Sequence, residues 1–167
     1  MASGVRTAVT LAVLGVLLVV GAVVGWRSLT APLPGRTEPP VCVDTDYQQG
    51  DDLYPSQVVV SVLNAGERAG LAGRTMGQLV DQGFVQGTSG NAPDGSKVQR
   101  VQIWAADTDS PAVDLLKTRL GKRVKVVRYT SDLPGVVVVV GDRFDQPSKG
   151  PKSVRVRSDA TVCSPPT

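Results

Sequence analysis

The sequence has no histidine and few aromatic residues. The missing histidine removes the commonest general base and the commonest metal ligand of proteins together. Aromatic residues make up 4% of the chain, which argues against a stacking surface for single-stranded nucleic acid. The formal net charge of +3 is too small to make nucleic acid the default partner, and it suits an acidic polymer or an anionic membrane surface equally well. We therefore predict no nucleic-acid partner.

Cysteine is scarce too, with one residue near each end of a long stretch, Cys42 and Cys163. The two are too few and too far apart for a zinc site, and the sequence contains no CxxC pair. In an exported protein such a pair is more often a disulfide than two free thiols, so the compartment decides its meaning. A disulfide would fasten the C-terminal tail to the start of the domain. We predict this bond, no metal site and no cofactor.

One long uncharged run is present near the N-terminus. It covers the 20 residues from Thr7 to Trp26, with Arg6 before it and Arg27 after it. Such a run is long enough to cross a hydrocarbon core of ~30 Å as a helix. A cleaved signal peptide is the alternative, because the small residues at 20–22 offer a weak cleavage pattern. We predict an uncleaved single-pass anchor over residues 1–27, with the domain on the extracytoplasmic side that the cysteines favour.

A proline-rich linker follows at residues 28–41, and one domain with a C-terminal tail occupies residues 42–163. Its core, residues 57–144, alternates strand patterns with two helical patterns. The predicted fold class is α+β, a single sheet with two helices in the order β-α-β-β-α-β-β, preceded by the transmembrane helix. The tail adds one short strand pattern at residues 153–157. The predicted core strands are 57–63, 84–92, 98–104, 124–129 and 136–140, and the predicted helices run from about 69 to 82 and from 110 to 121.

The first predicted helix contains Gly73 and Gly77, which lie four residues apart on one face. Two glycines inside a helix together cost ~1.5–2 kcal/mol relative to alanine, and close packing against the sheet would compensate for that. Gly83 stands where a left-handed C′ residue belongs, and Phe84 can fold back over the last turn. These signals predict a helix that packs through its glycine stripe and ends before Gly83.

The acidic residues have ordinary explanations. The four aspartates between 44 and 52 begin like a calcium loop, but the turn glycine is misplaced and no glutamate closes the loop. Asp107 and Asp109 precede a helix, where carboxylates suit the helix dipole better than glycosidase chemistry. The serines have neither a histidine partner nor a nucleophile elbow. We predict no catalytic residue and hence no enzyme.

The turn after the first core strand is the candidate for ligand contact. The spacing Gly66-x-x-x-Gly70 matches neither the dinucleotide-binding nor the P-loop pattern. A helix N-terminus still attracts anions, so anion binding competes here with plain turn geometry. A basic run also spans residues 117–128, where one part compensates a helix dipole and the rest is available as a face for an anionic polymer or lipid headgroups. The candidate ligand-binding residues are Asn64, Gly66, Arg68, Arg74, Lys122 and Arg123.

Several short motifs follow one another in a fixed order along the core. They are a V-x-V-L-N strand end, a G-L-A helix start, a G-F after the helix and a terminal V-V-V-G-D strand. The residues that carry them are Val60, Leu63, Asn64, Gly70, Leu71, Ala72, Gly83, Phe84, Gly141 and Asp142. In order and spacing they resemble the LytR C-terminal domain family, and the resemblance covers roughly residues 57–144.

The resemblance carries expectations about function. Longer relatives hold this domain behind a LytR-CpsA-Psr ligase domain that attaches polymers to peptidoglycan, and because no such domain fits in this chain, no ligase activity is implied. The short architecture is similar to that of an actinobacterial envelope-integrity protein, which implies an extracytoplasmic role. We predict a membrane-anchored, non-enzymatic protein that supports cell-envelope integrity by binding a cell-wall polymer or an envelope protein. The alternative is a regulatory subunit of a separate LytR-CpsA-Psr-type wall-polymer ligase.

Overall fold

The computed structural model describes residues 2–30, 41–121 and 124–166. Within the N-terminal helix α1 (Ala2–Thr30), it describes the side chains of Val9, 11–27 and Thr30. The chain divides into two units, Met1–Pro39 and Pro40–Thr167. Most of the predicted linker, residues 31–40, lies outside the described residues.

Helix α1 is 29 residues long. Every large apolar side chain described along it is more than half exposed, from Val9 at 57% to Trp26 at 71%. In the part of the chain that the structure describes, no helix is both long enough and apolar enough to cross a membrane. The single-pass anchor stays a prediction.

The second unit contains, within the described residues, two further α-helices and nine strands. The helices are α2 (Leu71–Val80) and α3 (Pro111–Leu120). The strands are β1 (Val43–Tyr47), β2 (Asp52–Leu53), β3 (Val59–Asn64), β4 (Val85–Asn91), β5 (Val101–Ala105), β6 (Lys125–Arg128), β7 (Val136–Val140), β8 (Val154–Arg155) and β9 (Ala160–Ser164). A short 3-10 helix at Pro55–Gln57 precedes β3.

Five strands form the central sheet, in the order β4-β3-β7-β5-β6. Two β-α-β units, β3-α2-β4 and β5-α3-β6, each pair their strands in parallel. Strand β7 enters between them, parallel to β3 and antiparallel to β5. Because it lies inside the sheet, the four valines 137–140 are at most 1% exposed. The α+β class and the predicted order of the core elements are confirmed.

The predicted count of strands and sheets is wrong. Two further two-stranded sheets join the segment before the core to the tail after it, β1 with β9 and β2 with β8. Their pairings are long-range, as between Val43 and Ser164, and β1 is a polar strand whose residues are mostly exposed. A polar segment read alone gives no sign of a distant partner strand. The predicted tail strand is confirmed as β8.

The two faces of the central sheet are covered differently. Residues of α2 and α3 pack on one face against alternate strand residues such as Val60, Val62 and Ile103, and these form the main core. The opposite face carries a smaller cluster of Leu63, Val98, Trp104, Val137 and Val139. This alternation follows from the period of two along each strand. Neither α2 nor α3 packs on the second face, which leaves room there for a groove.

The glycine stripe of α2 does not face the sheet. A side chain added at Gly73 or Gly77 would meet no atom within 4 Å, and both glycines are exposed. The sheet is instead contacted by the opposite side of the helix, which carries Leu71, Met76 and Leu79. The expectation of close glycine packing is therefore wrong. The predicted helix end is confirmed, because Gly83 has a φ of 93° and the N–H of Phe84 donates to the oxygen of Leu79 at 3.1 Å.

Candidate functional site

Asn64, the last residue of β3, builds the turn that leads into α2. Its side-chain amide donates to the backbone oxygen of Arg68 at 2.9 Å, and its Oδ1 accepts from the N–H of Gly66 at 3.0 Å. One buried side chain thus satisfies two backbone groups of the loop, as an asparagine does in an Asx-turn. The side chain of Asn64 therefore fixes the path of residues 64–68.

Asp142 holds the same turn from the end of β7. Its carboxylate accepts from the N–H of Glu67 at 3.0 and 3.2 Å and from the N–H of Arg68 at 3.0 Å. Nη1 of the Arg68 guanidinium donates to the backbone oxygens of Asp142 at 3.0 Å and of Phe144 at 3.2 Å. A Cβ at Gly66 would overlap the Asp142 carboxylate, so the close approach requires glycine. The N–H groups that an external anion would need are bound to a carboxylate of the chain itself.

The six predicted ligand residues are only partly brought together. Asn64, Gly66 and Arg68 meet in this turn, and each has a structural role there. Arg74 is exposed on α2, and Lys122 and Arg123 lie outside the described residues. Ligand contact by any of the six stays a prediction. The role of Asp142 was missed, although the closing G-D motif of the core pointed to that position.

We expect Asp142→Ala to lower the free energy of unfolding by about 2–3 kcal/mol, because two backbone N–H groups lose a charged acceptor. Urea denaturation followed by circular dichroism measures the change. Asp145→Ala is the matched control, since Asp145 is an exposed neighbour on the same segment. An equal, small effect of both substitutions would show that Asp142 does not hold the turn.

A polar cavity of about 420 Å³ lies beside the Asn64 turn. It is lined by residues 64–67, Ala69 and residues 91–96. Asn64 pairs with Asn91 at the carboxyl ends of the parallel strands β3 and β4. The crevice outside the carboxyl ends of parallel strands is the usual ligand position in open α/β sheets.

A second cavity, of about 450 Å³, opens on the face of the sheet opposite α2 and α3, and we refer to it as the aromatic groove. It is lined by Leu63, Thr88, Gly90, Asn91, Pro93, Trp104 and residues 129–133. The rings of Trp104 and Tyr129 lie 4.7 Å apart at an interplanar angle of 46°. Tyr129 is 41% exposed, whereas Trp104 is 9% exposed and donates from Nε1 to Gln102 at 3.0 Å. Asn91 and Pro93 line both cavities, so the polar cavity and the aromatic groove adjoin.

Sequence reasoning missed the aromatic groove. Trp104 is the penultimate residue of β5, and Tyr129 directly follows β6. The N–H of Tyr129 donates to the backbone oxygen of Ala105 at 2.9 Å. Only the parallel pairing of β5 with β6 brings the two rings together. The aromatic content of 4% also gave no indication of a paired aromatic surface.

Several of the aspartates named in the sequence accept hydrogen bonds within the domain. Asp107 accepts from the N–H of Asp109 at 3.0 Å before Ser110, whose side chain accepts from Ala112 at 3.4 Å and caps α3. Asp46 accepts from the Thr161 hydroxyl at 2.7 Å. Among the residues that the structure describes, no three histidine, cysteine or acidic side chains lie together as a metal would require.

The predicted disulfide is confirmed. Cys42 and Cys163 are bonded, with Cα atoms 5.4 Å apart, a usual spacing for this bond. The bond stands at one end of the β1–β9 ladder, in which Asp44 pairs with Cys163. It joins residues 121 positions apart and encloses the whole central sheet in one covalent loop.

Fold and site together define a two-layer α+β domain that has both helices on one face of its sheet and an adjoining pair of cavities reaching the other face. The family model of LytR_C, described as "LytR cell envelope-related transcriptional attenuator", matches residues 57–144, just over half of the chain. The chain belongs to this family, as its motifs predicted. LytR_C is a family of non-catalytic domains.

Among solved structures, the chain is similar to the soluble domain of a conserved hypothetical secreted protein from Mycobacterium marinum. The identity is 22%, the TM-score is 0.48, and the match covers 62% of this chain and 79% of that one. No curated protein gives a significant match.

Proposed function

We propose that this protein is a membrane-anchored, non-enzymatic component of the cell envelope that binds a wall glycan in the aromatic groove. Membership of a cell-envelope-related family supports the setting. The observation that carries the proposal is the pairing of Trp104 and Tyr129 within a groove that is otherwise lined mainly by short polar side chains.

The lining suits the chemistry of a sugar. A sugar ring has apolar C–H faces and a rim of hydroxyl groups. An aromatic ring offers a flat apolar surface to such a face, and Tyr129 presents one that is 41% exposed. Hydroxyl, amide and carboxylate groups around it can accept from and donate to the hydroxyl rim. Thr88, Asn91, Thr130, Ser131 and Asp132 supply these groups.

The anchor and the compartment belong to the same proposal. The anchor is supported by the sequence alone, because the uncharged run from Thr7 to Trp26 has the length that a membrane-spanning segment needs. An extracytoplasmic position is supported by the Cys42–Cys163 disulfide, because such bonds persist in oxidising compartments and are rare in the cytosol. A protein placed there meets wall glycans directly.

We expect Tyr129→Ala to weaken binding to purified wall glycan about tenfold, equivalent to about 1.4 kcal/mol, because the exposed stacking surface is lost. Co-sedimentation with peptidoglycan and with arabinogalactan measures the affinity. Tyr54→Ala is the matched control, since Tyr54 is 46% exposed and lies outside the aromatic groove.

Two outcomes would overturn the proposal. One is wild-type protein that binds neither polymer, and the other is equal binding by the Tyr129 and Tyr54 variants. Absence of glycan binding together with co-purification of a LytR-CpsA-Psr-type ligase would favour the alternative, a regulatory subunit of that ligase.

A further inference from the structure

Arg119, near the end of α3, is a buried cation. Its side chain is 4% exposed, which is unusual for arginine. One guanidinium nitrogen, Nη2, donates to the backbone oxygen of Pro151 at 2.6 Å. The guanidinium carbon lies 5.9 Å from the centre of the Phe84 ring. Nε is buried and has no hydrogen-bond partner.

No described acidic side chain neutralises this charge. The one ion pair within the described residues joins Lys117 to Asp114 at 3.0 Å. Burial lowers the pKa of Arg119 from its ordinary value, since desolvation disfavours the charged form. The guanidinium nevertheless stays protonated at neutral pH. A buried charge without an opposite charge is costly, and an anion supplied from outside would offset that cost.

A cavity of about 430 Å³ adjoins Arg119, and we refer to it as the Arg119 pocket. Two lysines, Lys149 and Lys152, line it from the tail segment after β7. Asp81 is the single carboxylate among the lining residues, so three cations face one anion.

We propose that the Arg119 pocket binds a phosphate group. A guanidinium matches phosphate oxygens with two parallel N–H donors, and lysine ammonium groups bind phosphate as point charges. A surplus of two positive charges suits a phosphate dianion better than a single carboxylate. Three sources offer such a group: free inorganic phosphate, a soluble phosphomonoester and a lipid headgroup. All three share this chemistry. The Arg119 pocket shares no lining residue with the aromatic groove, so phosphate binding there can be tested independently of glycan binding.

Full-length protein in neutral detergent tests the proposal. At a concentration ten times the dissociation constant, inorganic phosphate should raise the melting temperature by about 3–6 °C relative to chloride at equal ionic strength. Isothermal titration calorimetry with the same phosphate gives the affinity. The combined variant Lys149→Gln, Lys152→Gln should weaken binding about tenfold or more, because two of the three cations are lost. Lys125 is an exposed residue of β6 outside the pocket, so Lys125→Gln should leave the affinity unchanged.

Arg119→Met removes the buried charge itself and should abolish the phosphate-induced shift. The proposal is overturned if wild-type protein shows no phosphate-specific shift, or if the double lysine variant binds phosphate as well as wild type does. If Arg119→Met is less stable than wild type and the wild-type protein does not bind phosphate, then Arg119 only fastens the tail at Pro151. Parallel titrations with glycerol phosphate and with nanodiscs containing phosphatidic acid, against phosphatidylcholine nanodiscs, identify which source binds most tightly.

Discussion

Replacing both Cys42 and Cys163 by serine should lower the free energy of unfolding by about 3–5 kcal/mol. The bond closes a loop between residues 121 positions apart, and the chain-entropy model gives about 5 kcal/mol for a loop of that length. The lower end of the range allows for residual order in the unfolded chain, which reduces the entropy that the bond removes. Because small domains are stable by only ~5–15 kcal/mol, this is a large share of the total.

Non-covalent contacts at the same place keep the variant foldable. The Ser164 hydroxyl donates to the oxygen of Gln57 at 2.7 Å and lies 3.2 Å from the Tyr47 hydroxyl. Val162 and Tyr47 are buried in the main core. We therefore expect a native far-ultraviolet spectrum with a lower urea midpoint, and reduced wild-type protein should behave like the double variant. A midpoint unchanged by either treatment would contradict the prediction, as would two alkylated thiols in unreduced protein.

The order of the core was predictable because its signals are local. The valine run at 136–140 is apolar on both faces, which is typical of an interior strand, and β7 lies inside the sheet. Gly83 and Ser110 marked a helix end and a helix start by short-range chemistry. These features depend on a few neighbouring residues, so sequence alone was enough for them.

The features that depend on distant pairings were not predictable. Strand β1 has two aspartates and a threonine at its centre, and its partner β9 follows more than a hundred residues later. Trp104 and Tyr129 form a pair only because β5 and β6 are adjacent and parallel. In the sequence, Arg119 is one of several basic residues in a run. Its burial results from the tail segment, which brings Pro151 to it. The aromatic groove and the Arg119 pocket both arise from such contacts.

The turn at Asn64 shows how a local signal can point to the wrong chemistry. A strand end, a glycine-rich turn and a helix start suggest an anion site. In the structure a carboxylate does accept from the N–H groups of Glu67 and Arg68, but it belongs to Asp142 of the same chain. The motif thus joins the ends of β3 and β7, which are neighbours in the sheet. An internal anion satisfies the backbone groups without requiring a ligand.

A single methyl group added at Gly135, in the turn into β7, should be strongly destabilising. Gly135 has a φ of 71°, and a Cβ there would overlap the backbone oxygen and carbon of Val59 on β3. A hydrogen bond opposes movement of the turn, because the backbone oxygen of the preceding Pro134 accepts from the buried Ser61 hydroxyl at 2.7 Å. We expect Gly135→Ala to lower the free energy of unfolding by about 3–4 kcal/mol, combining a left-handed backbone penalty with an overpacking penalty.

Gly70→Ala separates the two contributions to that loss. Gly70 has a φ of 72°, almost the same as Gly135, but a Cβ there meets no atom within 4 Å. Its substitution should therefore carry the backbone penalty alone, about 1–2 kcal/mol. Urea denaturation of both variants gives the difference, which measures how tightly β7 is held against β3. Equal losses would show that the turn relaxes freely, and the insertion of β7 between β3 and β5 would then not depend on this contact.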